Sequence, residues 1–211
     1  MRQILLGTSN LSKAAYFAGQ MKDYRVSFLL LKDLGIENLP DEAGKSPLEN
    51  ALIKAAYYGR FHDYVISADS ALYIRELPLD DPRQPGLTVR RSPNGGRMDD
   101  DEMISHYMAM AHELGGRMTC YYMDAYGVCN HGKTFGFMDD GPVYTFYMVD
   151  KAHSVRTPGW PLDSISVWPE SGQYFVESRE CNLSAAAQIL KKSYQDRLMA
   201  FYEGALDLEK L

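Results

Sequence analysis

The stretch "RQILLGTSNLSKAAYF", residues 2–17, decides how the rest of the chain is read. Its first residues are a short apolar run, the pattern of a strand buried on both faces. Thr8, Ser9 and Asn10 then break the run, and "NLSKAAYFAGQM" (10–21) continues with helix formers, Asn10 or Ser12 supplying the N-cap. A strand that hands over directly to a helix is the opening of a βαβ unit and predicts an α/β fold. The junction also has a chemical use. Helix-mouth amides and the positive end of the dipole favour an anion, and Lys13, one turn in, can add an ammonium. Thr8 and Asn10 add side-chain donors, and the alternative for all three is an ordinary cap with a solvated lysine.

Outward from this junction, "YRVSFLLL" (24–31) reads as a second strand. Ser46, Pro47 and Glu49 form a capping-box signature for a helix over 46–60, with Leu48, Ala51, Leu52, Ala55 and Tyr58 at helical spacing. "YVISADSALYI" (64–74) is a strand expected to break at Asp69-Ser70 and resume. Residues 75–96 are rich in Pro, Gly and charge and read as a loop, and acids opening 99–114 mark another helix. The middle is β-rich: a hairpin over 117–137 turning at "NHGK", a strand in 141–149, and two short strands around a turn in 163–177. A helix or helix pair over 184–204, with Gly204 as C-cap, ends the sequence. The order predicts a mixed sheet whose two halves form lobes around a cleft.

Bulk properties narrow the function. The 211 residues favour one domain with enough chain for a real core. A net charge of −6 argues against a broad nucleic-acid-binding face but allows a small cationic pocket. No apolar run reaches the roughly 20 residues of a membrane span, and no signal-peptide pattern opens the chain. Three cysteines, Cys120, Cys129 and Cys181, without metal spacing, fit a reducing cytoplasm.

Two further groups of residues carry chemistry. Asp41, Glu42 and Asp69 are acidic, and Asp69 is flanked by Val65, Ile66, Ala71 and Leu72. A carboxylate in such apolar company needs a reason: a hard cation shared with substrate phosphates, or a local turn bond. Lys54, Arg90, Arg91, Lys191 and Arg197 are basic residues that would bind phosphate if they converged and are otherwise surface charges. Trp160, in the Pro/Gly-rich "RTPGWPLDS", can stack on a base or fill a core gap.

In order and spacing, "TSNLSK" (8–13), "DEAGKSPLENALIKA" (41–55), "ADSAL" (68–72) and "PGLTVRR" (85–91) resemble the inosine-triphosphate pyrophosphatase family. That family has a T-x-N-x-x-K opening, an acidic-T-G then E-N-A-x-x-K helix, a D-[ST]-x-L strand end and a P-G-x-x-x-[KR] loop. Four agreeing motifs are a specific signal. The second half is similar only in part. "GWPLDSI" (159–165) occupies the place of G-F-G-[YW]-D-P, with Trp160 on the stacking aromatic and Asp163 on the aspartate. In "KKSYQDRLMA" (191–200), Lys191 and Arg197 match the family's lysine and S-H-R arginine, while Gln195 and Asp196 replace its serine and histidine.

The resemblance implies an elongated, two-lobed α/β fold with a long mixed sheet, flanking helices and a central cleft, one domain over residues 1–211, and a cytoplasmic homodimer. It implies hydrolysis of a nucleoside triphosphate to monophosphate and pyrophosphate with Mg²⁺, or Mn²⁺ in its place, and no nucleic-acid polymer or membrane as partner. Asp69 would be general base and metal ligand, with Asp41 or Glu42 sharing the metal. Thr8, Asn10, Lys13, Lys54, Ser70, Lys191 and one of Arg90 or Arg91 would hold phosphate. Trp160, Asp163, Asp196 and Arg197 would hold the base, and their changed surroundings imply an altered base preference. A non-catalytic nucleotide binder on the same fold is the alternative.

Overall fold

The computed structural model describes residues 1–92, 94–177 and 184–211. Its strands are β1 (Arg2–Leu6), β2 (Val26–Leu30), β3 (Tyr64–Ile74), β4 (Arg117–Asn130), β5 (Lys133–Met138), β6 (Phe146–Val149) and β7 (Ser166–Val167). Its α-helices are α1 (Leu11–Gln20), α2 (Pro47–Tyr58), α3 (Asp100–Glu113) and α4 (Ala185–Leu206). The strands form one mixed sheet in the order β2-β1-β3-β4-β6-β7, with β5 paired to β4. Parallel pairs at β1–β2 and β1–β3 combine with antiparallel pairs at β4–β5, β4–β6 and β6–β7.

The chain divides into two compact units. The first comprises Met1–Ser70, Asp124–Asp140 and Ser193–Leu211. Within it, β1 is the central parallel strand, and Ile4, Leu5 and Leu6 are buried as an unbroken apolar run. The chain leaves β1 for β2 through α1, then returns past β1 to β3 through α2. Right-handed crossovers made in opposite directions put the two helices on opposite faces of the sheet. Side chains on β4 bear this out. Tyr126 meets Phe17 of α1 edge-on, whereas a Cβ at the next residue, Gly127, would lie 2.3 Å from the Ala51 carbonyl oxygen of α2. Only glycine allows α2 that close to the strand. Such a reversal of winding is where open α/β sheets bind ligands, outside the carboxyl ends of the strands.

The second unit comprises Ala71–Met123 and Gly141–Lys192. Its core gathers Leu72, Ile74, Met103, Ile104, Tyr107, Met118, Phe146, Met148, Ile165 and Trp168, so α3 is buried by the apolar stripe its sequence shows.

Several local expectations hold and several are corrected. The "NHGK" turn is a two-residue hairpin with His131 and Gly132 both at positive φ, 48° and 78°. β3 does not break at Asp69-Ser70: it continues to Ile74, because the apolar Ala71, Leu72 and Ile74 extend the buried pattern. Gly204 lies inside α4, not at its end, the helix running on to Leu206 through the buried Ala205 and Leu206. Of the two short strands expected in 163–177, only β7 forms, with Tyr174 making a single bridge to Val167. Cys120 and Cys129 are buried free thiols, and Cys181 lies outside the described residues. Among the described residues no helix is long and apolar enough to cross a membrane.

Candidate active site

The α1 junction is built by its own side chains. Asn10 is the N-cap: its Oδ1 accepts from the Ser12 amide at 2.9 Å and the Lys13 amide at 3.2 Å. Thr8 Oγ1 accepts from the Asn10 amide at 3.1 Å. These bonds satisfy helix-mouth donors internally, so the junction is a well-made cap as well as a possible cradle. Gly7 is required just before it, since a Cβ there would lie 2.7 Å from the Tyr58 ring.

Asp69 lies on β3, past the point where β1 ends opposite Ile66, and is 9% exposed. Its carboxylate is held from two sides. Lys54 Nζ donates to Oδ1 at 2.8 Å, and Asn50 Nδ2 donates to Oδ2 at 3.0 Å. Both come from one face of α2, one helical turn apart. Asn50, itself buried, is oriented in turn by the Gly44 amide, which donates to its Oδ1 at 2.8 Å. A Cβ on Gly44 would fall 2.5 Å from that oxygen, so the acidic loop approaches α2 through a glycine. Lys54 also pairs with Glu42 Oε1 at 3.1 Å, while Asp41 is exposed. The capping box of α2 is half formed: the Glu49 amide donates to Ser46 Oγ, and the Glu49 carboxylate takes the Lys45 amide instead of the cap amide.

The next residue, Ser70, points to the other face by the period of a strand. There it favours the charged form of the Asp124 carboxyl on β4. Asp124 shares the Tyr126 face of β4, the face covered by α1. Burial pushes the Asp124 carboxyl above its ordinary value, with the Ser70 hydroxyl and the Lys13 charge opposing and Asp69 reinforcing. Burial likewise pushes the Lys13 ammonium down, against the pull of Asp124, Asp69 and Glu42 and with the push of Lys54. The structure therefore brings Lys13, Glu42, Lys54, Asp69 and Ser70 into one electrostatic cluster, and adds two residues, Asn50 and Asp124.

The remaining expected residues lie elsewhere on the chain. Arg197 of α4 donates to Ser193 Oγ at 2.7 Å and pairs with Asp139, and Asp196 is exposed. In the second unit, Arg90 pairs with Asp100 at 2.8 Å, and Arg91 is exposed and bridged to Arg97. The Pro85-Gly86 loop before them is clipped to Leu72 by two backbone bonds, Leu72 N to Gly86 O at 3.0 Å and Gly86 N to Leu72 O at 2.9 Å. Trp160 is half-buried and opens a 3₁₀ turn over Pro161–Ser164 that carries Asp163, and Lys191 is half-buried on α4. Among the described residues, no three His, Cys, Asp or Glu side chains gather closely enough to cage a metal on their own.

Comparison with known proteins identifies relatives of the whole chain. The dITP/XTP pyrophosphatase of Wigglesworthia glossinidia brevipalpis is 26% identical over 179 residues, spanning 84% of this chain and 86% of that protein. The dITP/XTP pyrophosphatase of Dictyoglomus thermophilum is 36% identical over 106 residues, about half of each chain. Among solved structures, the Ham1 protein of Staphylococcus aureus superposes with a TM-score of 0.65 at 20% identity, over 96% of this chain and 99% of that one. A HAM1 protein from Coxiella burnetii gives 0.65 at 19%, over 95% and 100%. These structures share the fold. Residues 4–146 match the Ham1 family itself, a stretch that runs from β1 through Lys13, Lys54, Asp69 and Asp124 to the start of β6, and the chain belongs to that family.

Proposed function

We propose that the protein hydrolyses a nucleoside triphosphate to a nucleoside monophosphate and pyrophosphate with a divalent cation, Mg²⁺ or Mn²⁺, at the Asp69 cluster. That it is a hydrolase of acid anhydrides follows from its family and its pyrophosphatase relatives. The observation that carries the site assignment is the Asp69 carboxylate, fixed by Asn50 and Lys54 at the switch point of the sheet.

The donor chemistry suits a hard cation. Mg²⁺ is commonly held by one or two carboxylates together with substrate phosphates, so a three-residue cage is not needed. A carboxylate offers about four lone-pair sites, and Asn50 and Lys54 take two of those on Asp69. Asp69 and Glu42 would hold the ion. Glu42 is preferred to Asp41 because it already meets Lys54, the residue that meets Asp69. A bound cation would neutralise phosphate charge. Asp69 would take the proton from the water that adds across the α–β anhydride, as pyrophosphate leaves and the monophosphate keeps the water oxygen. Lys13, Lys54 and Lys191, with Arg90 or Arg91, would stabilise charge on the phosphates, and Thr8, Asn10 and Ser70 would add hydrogen bonds.

Trp160 would stack on the base, with Asp163, Asp196 and Arg197 at its edge. An ionised aspartate only accepts hydrogen bonds, so Asp196 in place of histidine favours a base that presents a donor. Base preference is tested by ranking kcat/KM for inosine, xanthosine, guanosine, adenosine and cytidine triphosphates in the wild type and in Asp196→His. A wild-type ranking led by inosine, or one unchanged in the variant, contradicts it. For the reaction, the test is pyrophosphate release from the same panel with Mg²⁺, with Mn²⁺ and with chelator. Release only with a cation is expected. Orthophosphate as the first product, or no turnover of any triphosphate, would overturn the reading.

A further inference from the structure

Lys54 has two duties in the proposed reaction, and its geometry sets them against each other. It neighbours the carboxylates that would hold the cation, and it would also hold phosphate. A lysine ammonium has three donors and no acceptor. All three are taken: by Asp69 Oδ1 at 2.8 Å, Glu42 Oε1 at 3.1 Å and the Ala68 carbonyl at 3.3 Å. No donor is left over for a phosphate, and two carboxylates share the charge. The three charged groups come from separate pieces of the first unit: Lys54 from α2, Asp69 from β3, Glu42 from the loop before α2. The side chains of Lys54 and Asp69 are each 13% exposed, that of Glu42 45%. Two carboxylates brought this close repel unless a cation lies between them, and Lys54 is that cation. A divalent ion held by the same two carboxylates would sit between them too. The ammonium and the ion therefore contend for one place.

We propose that Lys54 is an internal competitor of the divalent cation, holding Glu42 and Asp69 until the ion binds and released by the ion toward phosphate. This rests on the reading of the Asp69 cluster as a site for a cation and a polyphosphate. Cation and phosphate are thereby coupled through one side chain. An ion that takes the carboxylates frees the donors that phosphate needs. By linkage, a phosphate that takes Lys54 strengthens the hold on the ion. A lysine that merely braced the two carboxylates would act the other way: its loss would let them splay apart and weaken the ion.

The experiment measures binding of Mn²⁺ alone, without nucleotide, from the electron-spin resonance of the free ion. Wild type, Lys54→Met, Lys54→Gln, Lys54→Arg and Lys13→Met are compared. Removing the competitor should tighten Mn²⁺ about tenfold or more in Lys54→Met and Lys54→Gln, because charge-assisted contacts to the two carboxylates no longer have to be broken. Lys54→Arg keeps the charge and should stay near wild type. Lys13→Met takes one positive charge from the same cluster without touching either ion pair, so it gauges the general field and should gain clearly less. In the wild type, where no variant has to fold, Mg²⁺ should speed acetylation of Lys54 by an amine reagent relative to chelator, read by mass spectrometry. Unchanged or weaker Mn²⁺ binding in the neutral variants, a gain matched by Lys13→Met, or Lys54 labelling indifferent to Mg²⁺ overturns the proposal. Pyrophosphate release by the wild type alongside such a result leaves the enzymatic reading standing. A wild type that takes up no Mn²⁺ even with a non-hydrolysable triphosphate overturns both.

Discussion

Asn50 Nδ2 donates to Asp69 Oδ2 at 3.0 Å while its Oδ1 accepts the Gly44 amide at 2.8 Å, so one buried amide ties the acidic loop to β3. Asn50→Ala would leave the Gly44 amide and one carboxylate oxygen short of a partner. A buried unsatisfied group costs about 1–3 kcal/mol, which thermal or denaturant unfolding will register. Asp69 would also lose one of its two anchors, and turnover should fall about tenfold or more, because general-base work depends on position. Wild-type turnover with wild-type stability in Asn50→Ala would show that the tie does nothing.

Lys13 carries the second expectation. Lys13→Ala removes a charge-assisted contact at the α1 mouth, so a non-hydrolysable triphosphate with its cation should bind about tenfold more weakly. The monophosphate, with fewer charges to neutralise, should be little affected. Calorimetry with both ligands checks this, and equal affinities in wild type and variant would reduce Lys13 to a surface charge of the cap.

Alkaline pH gives a test of the packing beneath the site. Burial pushes the Tyr58 hydroxyl up to about 12 from an ordinary 10.0, with Tyr57 and Glu42 adding to the shift. A folded value above the unfolded one means that stability is fully present below pH 10 and is lost as pH rises from there toward 12. Melting temperatures between pH 9 and 12 should therefore fall, and fall less steeply in Tyr58→Phe. Parallel curves for the two proteins would contradict the assignment.

The first half of the chain was readable because its physics is local. The apolar run of β1, the Asn10 cap and the Ser46-Pro47 start of α2 each declare themselves within a few residues, and they fix the βαβ path that creates the switch point. Asp69 stands out in the sequence because its carboxylate has apolar neighbours. The same argument applies to Asp124, whose strand reads "YYMDAYGV", but there it was hidden by the alternating pattern of a hairpin. Spacing puts Asn50 one helical turn before Lys54, on the same face, but says nothing of its partners. Its use depends on Gly44, six residues back, and Asp69, nineteen residues on, and that closure exists only in three dimensions. The continuity of β3 and the burial of α4 past Gly204 were likewise decided by tertiary packing over local signals.

The central claim is that Asp69 is the base. Asp69→Asn keeps the shape and the Lys54 contact while removing the proton acceptor, and the measurement is pyrophosphate release at saturating triphosphate and Mg²⁺, with melting temperature followed in the same samples. A general base contributes about 10²–10⁴-fold, so kcat should fall by at least ~100-fold in a protein that still melts cooperatively near the wild-type temperature. A folded Asp69→Asn variant that turns over its best triphosphate within a few-fold of the wild-type rate would contradict the account.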